Sequence, residues 1–448
     1  MKEKIVIPIW ALGTFIVVSN TTMFNVSIPT VIQDLDITAH LGAWIISSYS
    51  ISFALSTVIY SRLTDIIPIR RLLLAGLSLI GLASVFGLFA GEFYTLLAVR
   101  IVQALGGGAI SGLGLVIVSR YVPPERRGRA LTMISSGSAM AFGLGPIIGG
   151  VITQYFGFNG LFAVTCLVLI LLPIMLKLLP KEMPAPGSFD VVGALLTTVN
   201  ASSLLIAVSA QSWWWLGVFA ASLLLHGWHM RKGKGKALFI SPQLFKVRGF
   251  VKWLAAGFLA LMLNMGNLFL MPLVLADLFD LSPMTIGFVI APGAILSAVM
   301  TRKMGFWIDR FGSLLVLPVT LGIVAGVLAL FAAASWVSPL IILLGYLLFA
   351  PCFTGSLAAL NKEASVILPK ASIGAGMGLL QLVQYFGGAL SAPVSGIILD
   401  RVTGVSPSAV YQAAYGLLVA AAALCLGIVA WYRMALPKEE NFNTSVKG

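Results

Sequence analysis

Arg100 and Gln103 lie one helical turn apart inside an apolar run, and no other pairing in the chain is so unusual chemically. A guanidinium at bilayer depth costs from about 2.5 to over 10 kcal/mol, depending on the scale. It therefore faces a polar cavity, takes part in a proton relay, or snorkels outward past Glu92. The i, i+3 spacing lets Gln103 share its face. Two further clusters join a carboxylate to arginines: Asp65 with Arg70 and Arg71, and Asp309 with Arg310, the carboxylates 244 residues apart. Such groups can pair with a facing arginine or a helix end. As plain solvated pairs they would be worth only about 0–1 kcal/mol. Nucleotide-driven chemistry lacks support, because no P-loop fingerprint is present. Catalysis lacks it too: there are three histidines, and His226 and His229 have no carboxylate close in sequence. Cys166, Cys352 and Cys425 are odd in number, widely spaced and embedded in apolar runs, so they read as small core residues. Neither a metal site nor an organic cofactor is expected, and the chain is not expected to be an enzyme.

The elements that must hold these residues are membrane helices. Of 448 residues, 59% are hydrophobic and 10% charged, against about 45–50% and 25% in soluble domains. That excludes a soluble enzyme, a nucleic-acid-binding module and a disordered chain. Apolar runs of spanning length predict helices at about 6–29, 42–60, 72–90, 94–119, 130–154, 158–178, 190–209, 212–230, 250–276, 284–301, 313–333, 338–360, 373–399 and 409–432. The stretch from Val191 to Met230 has forty residues without a charge, one span too many for a single helix, with Ser209–Ser212 as the turn between two. The fold class is therefore all-α, polytopic, with fourteen transmembrane helices. The first span carries no cleavage site and is read as retained. Of 28 Lys and Arg, 26 fall in the termini and the even-to-odd loops, which places both termini in the cytoplasm. The 244-residue offset fits two six-helix halves around a two-helix insert: residues 1–182, 183–236 and 237–435, with 436–448 as a cytoplasmic tail. Duplicated halves are the usual build of secondary transporters.

The motifs resemble those of the major facilitator superfamily, in its fourteen-helix drug:proton antiporter branch. Ser61–Arg71 matches the family's first loop motif at Leu63, Asp65, Arg70 and Arg71, with Ser61 and Pro68 in place of its glycines. A second copy, placed in the loop after span 10, keeps Gly305, Asp309, Arg310 and Gly312. Arg100–Gly106 is similar to the Arg-x-x-Gln-Gly motif, with Ala104 for its glycine. Gly143-Leu144-Gly145-Pro146-Ile147-Ile148-Gly149-Gly150 resembles the antiporter motif, which the family associates with exporters. Phe189-Asp190 and Leu244-Phe245 also resemble the fourteen-helix branch. The likeness runs from about residue 10 to 435, with tetracycline and multidrug exporters of Gram-positive bacteria as the relatives implied. It implies a bacterial plasma-membrane protein driven by the proton gradient, acting as a monomer on small amphipathic drugs, with protons and the bilayer as its other partners and no nucleic acid.

On this basis Asp65, Arg70, Arg71, Asp309 and Arg310 are gate candidates. Gly143, Gly145, Pro146, Gly149 and Gly150 form a candidate hinge, because missing side chains and a missing donor permit close contact and a bend; static tight packing is the alternative. Amides at membrane depth face protein or water, so Asn20, Asn25, Gln103, Asn264, Asn267, Gln381 and Gln384, with Tyr385, are substrate-contact candidates or helix-to-helix glue. Many relatives carry an acid midway along the first span, where this chain has Asn20. No Asp or Glu lies in the middle of any span, which leaves Asp34, then Asp277 and Asp36, with Arg100, as proton-coupling candidates. Without a central acid, neutral or zwitterionic amphiphiles such as tetracyclines or fluoroquinolones fit better than strongly cationic ones. A dedicated metabolite or antibiotic exporter and a monovalent cation/proton antiporter remain open.

Overall fold

The computed structural model describes residues 3–64, 66–180, 182, 189–233, 238–369, 372–401 and 406–434. These residues are mostly α-helices, with one short 3-10 helix at Pro242–Lys246 before the tenth α-helix and no strand among them. In order they are α1 (Glu3–Asp34), α2 (Ala39–Leu63), α3 (Ile69–Gly87), α4 (Phe93–Tyr121), α5 (Pro124–Phe156), α6 (Gly160–Cys166), α7 (Val168–Leu178), α8 (Val191–Ser209), α9 (Trp213–Lys232), α10 (Phe250–Asp277), α11 (Pro283–Phe311), α12 (Ser313–Ala334), α13 (Pro339–Ile367), α14 (Ile373–Arg401) and α15 (Pro407–Met434). The sixth predicted span is α6 and α7 together, divided at Leu167, where Leu167 N→Val164 O and Ile170 N→Leu167 O tighten the helix into a turn. Among the described residues, thirteen spans are long and apolar enough to cross a bilayer. The remaining helix, α9, is 20 residues long but spends its last turn on His229, Arg231 and Lys232.

Two predicted boundaries are corrected. The second copy of the loop motif is not in a loop: α11 continues through Asp309 and Arg310 to Phe311, and the chain turns only at Gly312, whose φ of 83° favours glycine. Likewise α13 runs seven residues past its predicted end, carrying Asn361, Lys362 and Glu363 on helix. In both cases polar residues extend the helix beyond the apolar run, so the hydropathy boundary marks where the apolar part stops rather than the helix.

The chain forms two compact units, residues 1–239 with 282–288, and residues 240–281 with the chain from 289 on. In the first, α1 packs along α5, α2 along α4 and α3 along α4, and α8 and α9 pair with each other while α8 touches α2. In the second, α10 packs along α14, and α12 along α13 and α15. The units repeat detail as well as plan. Ser56 Oγ donates to Ala104 O at 3.0 Å between α2 and α4, and Ser297 Oγ to Ala350 O at 3.1 Å between α11 and α13. The turns that leave α1 and α10 each place an aspartate in the left-handed region, Asp36 (φ 48°) and Asp280 (φ 52°), a conformation aspartate tolerates better than most residues. Their spacing is again 244 residues.

Candidate functional site

Within the first unit, α1, α2, α3 and α4 enclose a polar cluster centred on Arg100, which is 1% exposed. Its Nη1 donates to Asn20 Oδ1 at 2.9 Å and to Gln103 Oε1 at 3.2 Å. Gln103 Nε2 donates onward to Ser84 Oγ at 2.7 Å, and Asn20 Nδ2 to Gln103 Oε1 at 3.4 Å. The rings of Phe24 and Tyr49 each lie 4.0 Å from the guanidinium carbon. Among the described residues no carboxylate pairs with Arg100, and its Nε meets no acceptor. Arg100 is therefore not snorkelling. Part of its lost hydration is replaced by amide oxygens and ring faces. Sequence reasoning found Arg100, Gln103 and Asn20, but not Phe24, Tyr49 or Ser84. Aromatic residues and a lone serine in apolar spans carry no signal of their own.

The Gly-Pro run of α5 lies on α1. Gly137, Gly143, Gly145, Pro146, Gly149 and Gly150 of α5 are buried or half-buried against neighbours. A Cβ on Gly145 would overlap Thr22 Oγ1, and one on Gly149 would come 2.7 Å from Met23 Cα. Thr22 Oγ1 donates across to Ala141 O at 3.1 Å, and the Ser27 and Thr153 hydroxyls share a bond of 2.6 Å. At the far end of this seam a Cβ on Gly150 would overlap Pro283 O, at the start of α11 that clusters with this unit.

Of the gate candidates, Asp65 lies outside the described residues. Arg70 is half-buried and Arg71 exposed at the start of α3. Around them, Arg120 Nη2 donates to Thr64 O at 3.0 Å, where α2 ends. Glu182 Oε2 accepts from Ile69 N at 2.7 Å, where α3 begins, and its other oxygen accepts from the Tyr121 hydroxyl. Burial and then the Glu182 carboxylate push the Tyr121 phenol up to about 12. In the second unit Asp309 is exposed and pairs with Lys362 Nζ at 2.7 Å, while Arg310 lies near the ring of Phe311. Sequence reasoning missed Tyr121, Glu182, Lys362 and Glu363.

The second unit's amides are placed differently from one another. Gln384 Nε2 donates to Asn361 Oδ1 at 3.0 Å. Asn264 is buried, and Asn267 is fully buried with neither amide atom partnered. Gln381 is exposed and Tyr385 half-buried. In the first unit Asn25 is buried with its Oδ1 unpartnered. Of the proton candidates, Asp34 is exposed at the end of α1, whereas Asp277 accepts the Tyr411 hydroxyl from α15. One histidine meets a carboxylate distant in sequence: His229 Nε2 bonds Asp190 Oδ1 at 2.8 Å across α8 and α9, whereas His226 Nδ1 meets an amide, Asn200 Nδ2, at 3.1 Å. Asp190 also accepts Gly193 N and Phe239 N, each at 2.9 Å. These donors hold its carboxyl below the usual range, despite the burial that opposes them.

Two helical units that repeat one another in plan and detail, with buried polar clusters in spanning helices, define a polytopic secondary transporter. A profile described as the Major Facilitator Superfamily matches residues 10–392, and the chain belongs to that family. It is 26% identical over 397 residues to the riboflavin transporter RibZ of Clostridioides difficile, covering 87% of each chain. It is 28% identical over 405 residues to MdtD of Klebsiella pneumoniae, whose name marks it as a candidate multidrug resistance protein, covering 87% of this chain and 84% of MdtD. The fold is shared with the peptide transporter POT in complex with sulfate: TM-score 0.70 at 16% identity, covering 96% of this chain and 94% of that one.

Proposed function

We propose that this protein exports amphipathic drugs across a bacterial plasma membrane in exchange for protons, by alternating access with both termini in the cytoplasm. The observation that carries the reading is the α5 seam. Gly145 and Gly149, within the run that resembles the antiporter motif, bring α5 onto α1 closely enough that no Cβ fits at either position. The likeness to MdtD supports the same reading. Substrate meets Asn20, Asn25 and Gln103 in the first unit, and Asn264, Asn267, Gln381, Gln384 and Tyr385 in the second. Asp309 and Arg310, with Asp65, Arg70 and Arg71, serve as the cytoplasmic gate.

Asp277 is the favoured proton carrier. Its tie to Tyr411 joins α10 to α15, so protonation changes a bond between two helices of one unit. Asp34 stands exposed and is the weaker candidate. Arg100 contributes a fixed charge, since guanidinium does not deprotonate under working conditions. The test is proton movement in energised everted vesicles challenged in turn with ethidium, norfloxacin, tetracycline and Na⁺. Proton release is expected with several of the unrelated drugs, lost in Asp277→Asn and kept in Asp34→Asn. Full coupling in Asp277→Asn would remove that residue from the mechanism. The likeness to RibZ favours one second reading, a transporter dedicated to a single planar metabolite. Silence toward every drug in the panel would turn the choice to it, and release with Na⁺ alone would indicate cation/proton exchange.

A further inference from the structure

No described residue neutralises the charge at the centre of the first unit. Arg100 carries a full positive charge at bilayer depth, yet each partner described for it is neutral: two amide oxygens and two ring faces. The residue placed to oppose it from α1, 2.9 Å from Nη1, is an asparagine rather than an acid. Charged groups in membrane spans are rare and usually pair or face a water-filled path. Amides and aromatic faces recover hydrogen bonds and polarisation, but they leave the net charge in place.

The geometry also limits what can complete the cluster. With rings at 4.0 Å from the guanidinium carbon, those of Phe24 and Tyr49 occupy its approaches, and Asn20 and Gln103 occupy Nη1. The Nε–H still lacks an acceptor although it is buried. The unpartnered Nε–H leaves an edge of the guanidinium for a partner that accepts in its plane. Carboxylates meet arginine in that way, accepting two parallel N–H bonds. A cationic headgroup is repelled here, and a neutral one leaves the charge as it stands.

We propose that Arg100 is the recognition group for a carboxylate on an otherwise apolar, aromatic substrate, and that asparagine at position 20 keeps the guanidinium from being neutralised from within. This deepens the export reading, on which only the transport of the bound acid rests. The direct test is binding to the purified full-length protein in nanodiscs, using nalidixate and flumequine, each against its ethyl ester. The acids are expected to bind at least tenfold more tightly than the esters. Arg100→Gln is expected to erase that difference. Asn20→Asp, which keeps Arg100 and adds an internal carboxylate, is expected to weaken the acids more than the esters. A merely structural arginine would lower both forms together. Acids that bind no better than their esters, or do not bind at all, would overturn the proposal, as would an acid preference that survives in Arg100→Gln. Acid-selective binding without efflux from vesicles would refute the export reading and keep the recognition site; efflux of acid and ester at equal rates would do the reverse.

Discussion

Gly149→Ala tests whether the α1–α5 seam is as tight as its glycines make it. The added Cβ would stand 2.7 Å from Met23 Cα and 2.8 Å from Met23 O. These are backbone atoms, so no rotamer change relieves them. Ordinary contact begins at 3.4 Å, so α1 must retreat from 2.7 Å by about 0.7 Å. Overpacking of this kind costs about 1–3 kcal/mol, and alanine returns up to about 1 kcal/mol in helix propensity. A net loss of about 1–2 kcal/mol follows. For a unit of roughly 240 residues it lowers the melting temperature by about 2–8 °C. Gly427→Ala is the control, because nothing lies within 4 Å of its Cβ; it should leave stability level or slightly raised. The assay is thermal unfolding in detergent, followed by size-exclusion fluorescence, with vesicle efflux beside it. Efflux should fall in Gly149→Ala and not in Gly427→Ala. A Gly149→Ala protein with the melting temperature and efflux of the parent would refute the reasoning, since the seam would then have room to spare.

Asp309→Asn removes an ion pair that is largely solvent-exposed, so stability should change by less than about 1 kcal/mol while efflux drops at least several-fold; a melting shift with unchanged efflux would make the pair structural only. Tyr121 should give an alkaline signature. Its phenol is raised in the folded protein to about 12, so its contribution is fully present below the ordinary value near 10 and is lost as pH rises through about 12. Thermal unfolding across that window should fall more steeply for the parent than for Tyr121→Phe. Asp190 has the opposite sign: its carboxyl is depressed, so its contribution is present above the ordinary carboxylate range and lost as pH falls through its folded value. Asp190→Asn keeps a capping oxygen for Gly193 N but removes the charge that faces His229, so it should cost less at pH 7 than the ~1 kcal/mol of a lost helix N-cap. The gap to the parent should close in strong acid, as read by thermal unfolding.

Much of the helical plan was legible because a bilayer forces each spanning segment to be long and apolar. What hydropathy could not show is where polar residues prolong a helix, as Arg302–Phe311 do at the end of α11. Arg100, Gln103 and Asn20 stood out because a polar group in an apolar span needs a reason. Phe24 and Tyr49 did not, since a ring in a hydrophobic helix looks the same whether it covers lipid, leucine or a guanidinium. The ties Glu182–Ile69, Asp190–His229 and Asp277–Tyr411 were illegible for another reason. They join residues 113, 39 and 134 positions apart, and only the packing brings them together.

The two units solve one electrostatic problem with different residues. A short turn between antiparallel helices exposes carbonyls at the end of the first helix and amides at the start of the second. In the first unit Arg120 donates to Thr64 O, at the end of α2, and Glu182 accepts from Ile69 N, at the start of α3. In the second, Lys362 Nζ reaches Ile308 O near the end of α11, and Glu363 accepts the Ser313 hydroxyl at the start of α12. Each unit thus sets a cation against a helix C-terminus and an anion against a helix N-terminus, as the helix dipoles favour. In the second unit the two charges are neighbours on α13. In the first they are 62 residues apart, the anion coming from the chain beyond α7. A repeat search by sequence sees only the aspartate motifs, because the residues that answer them arrive from different places. The first unit's turn is thus tied to a residue beyond α7, Glu182. The corresponding tie in the second unit closes upon α13 alone.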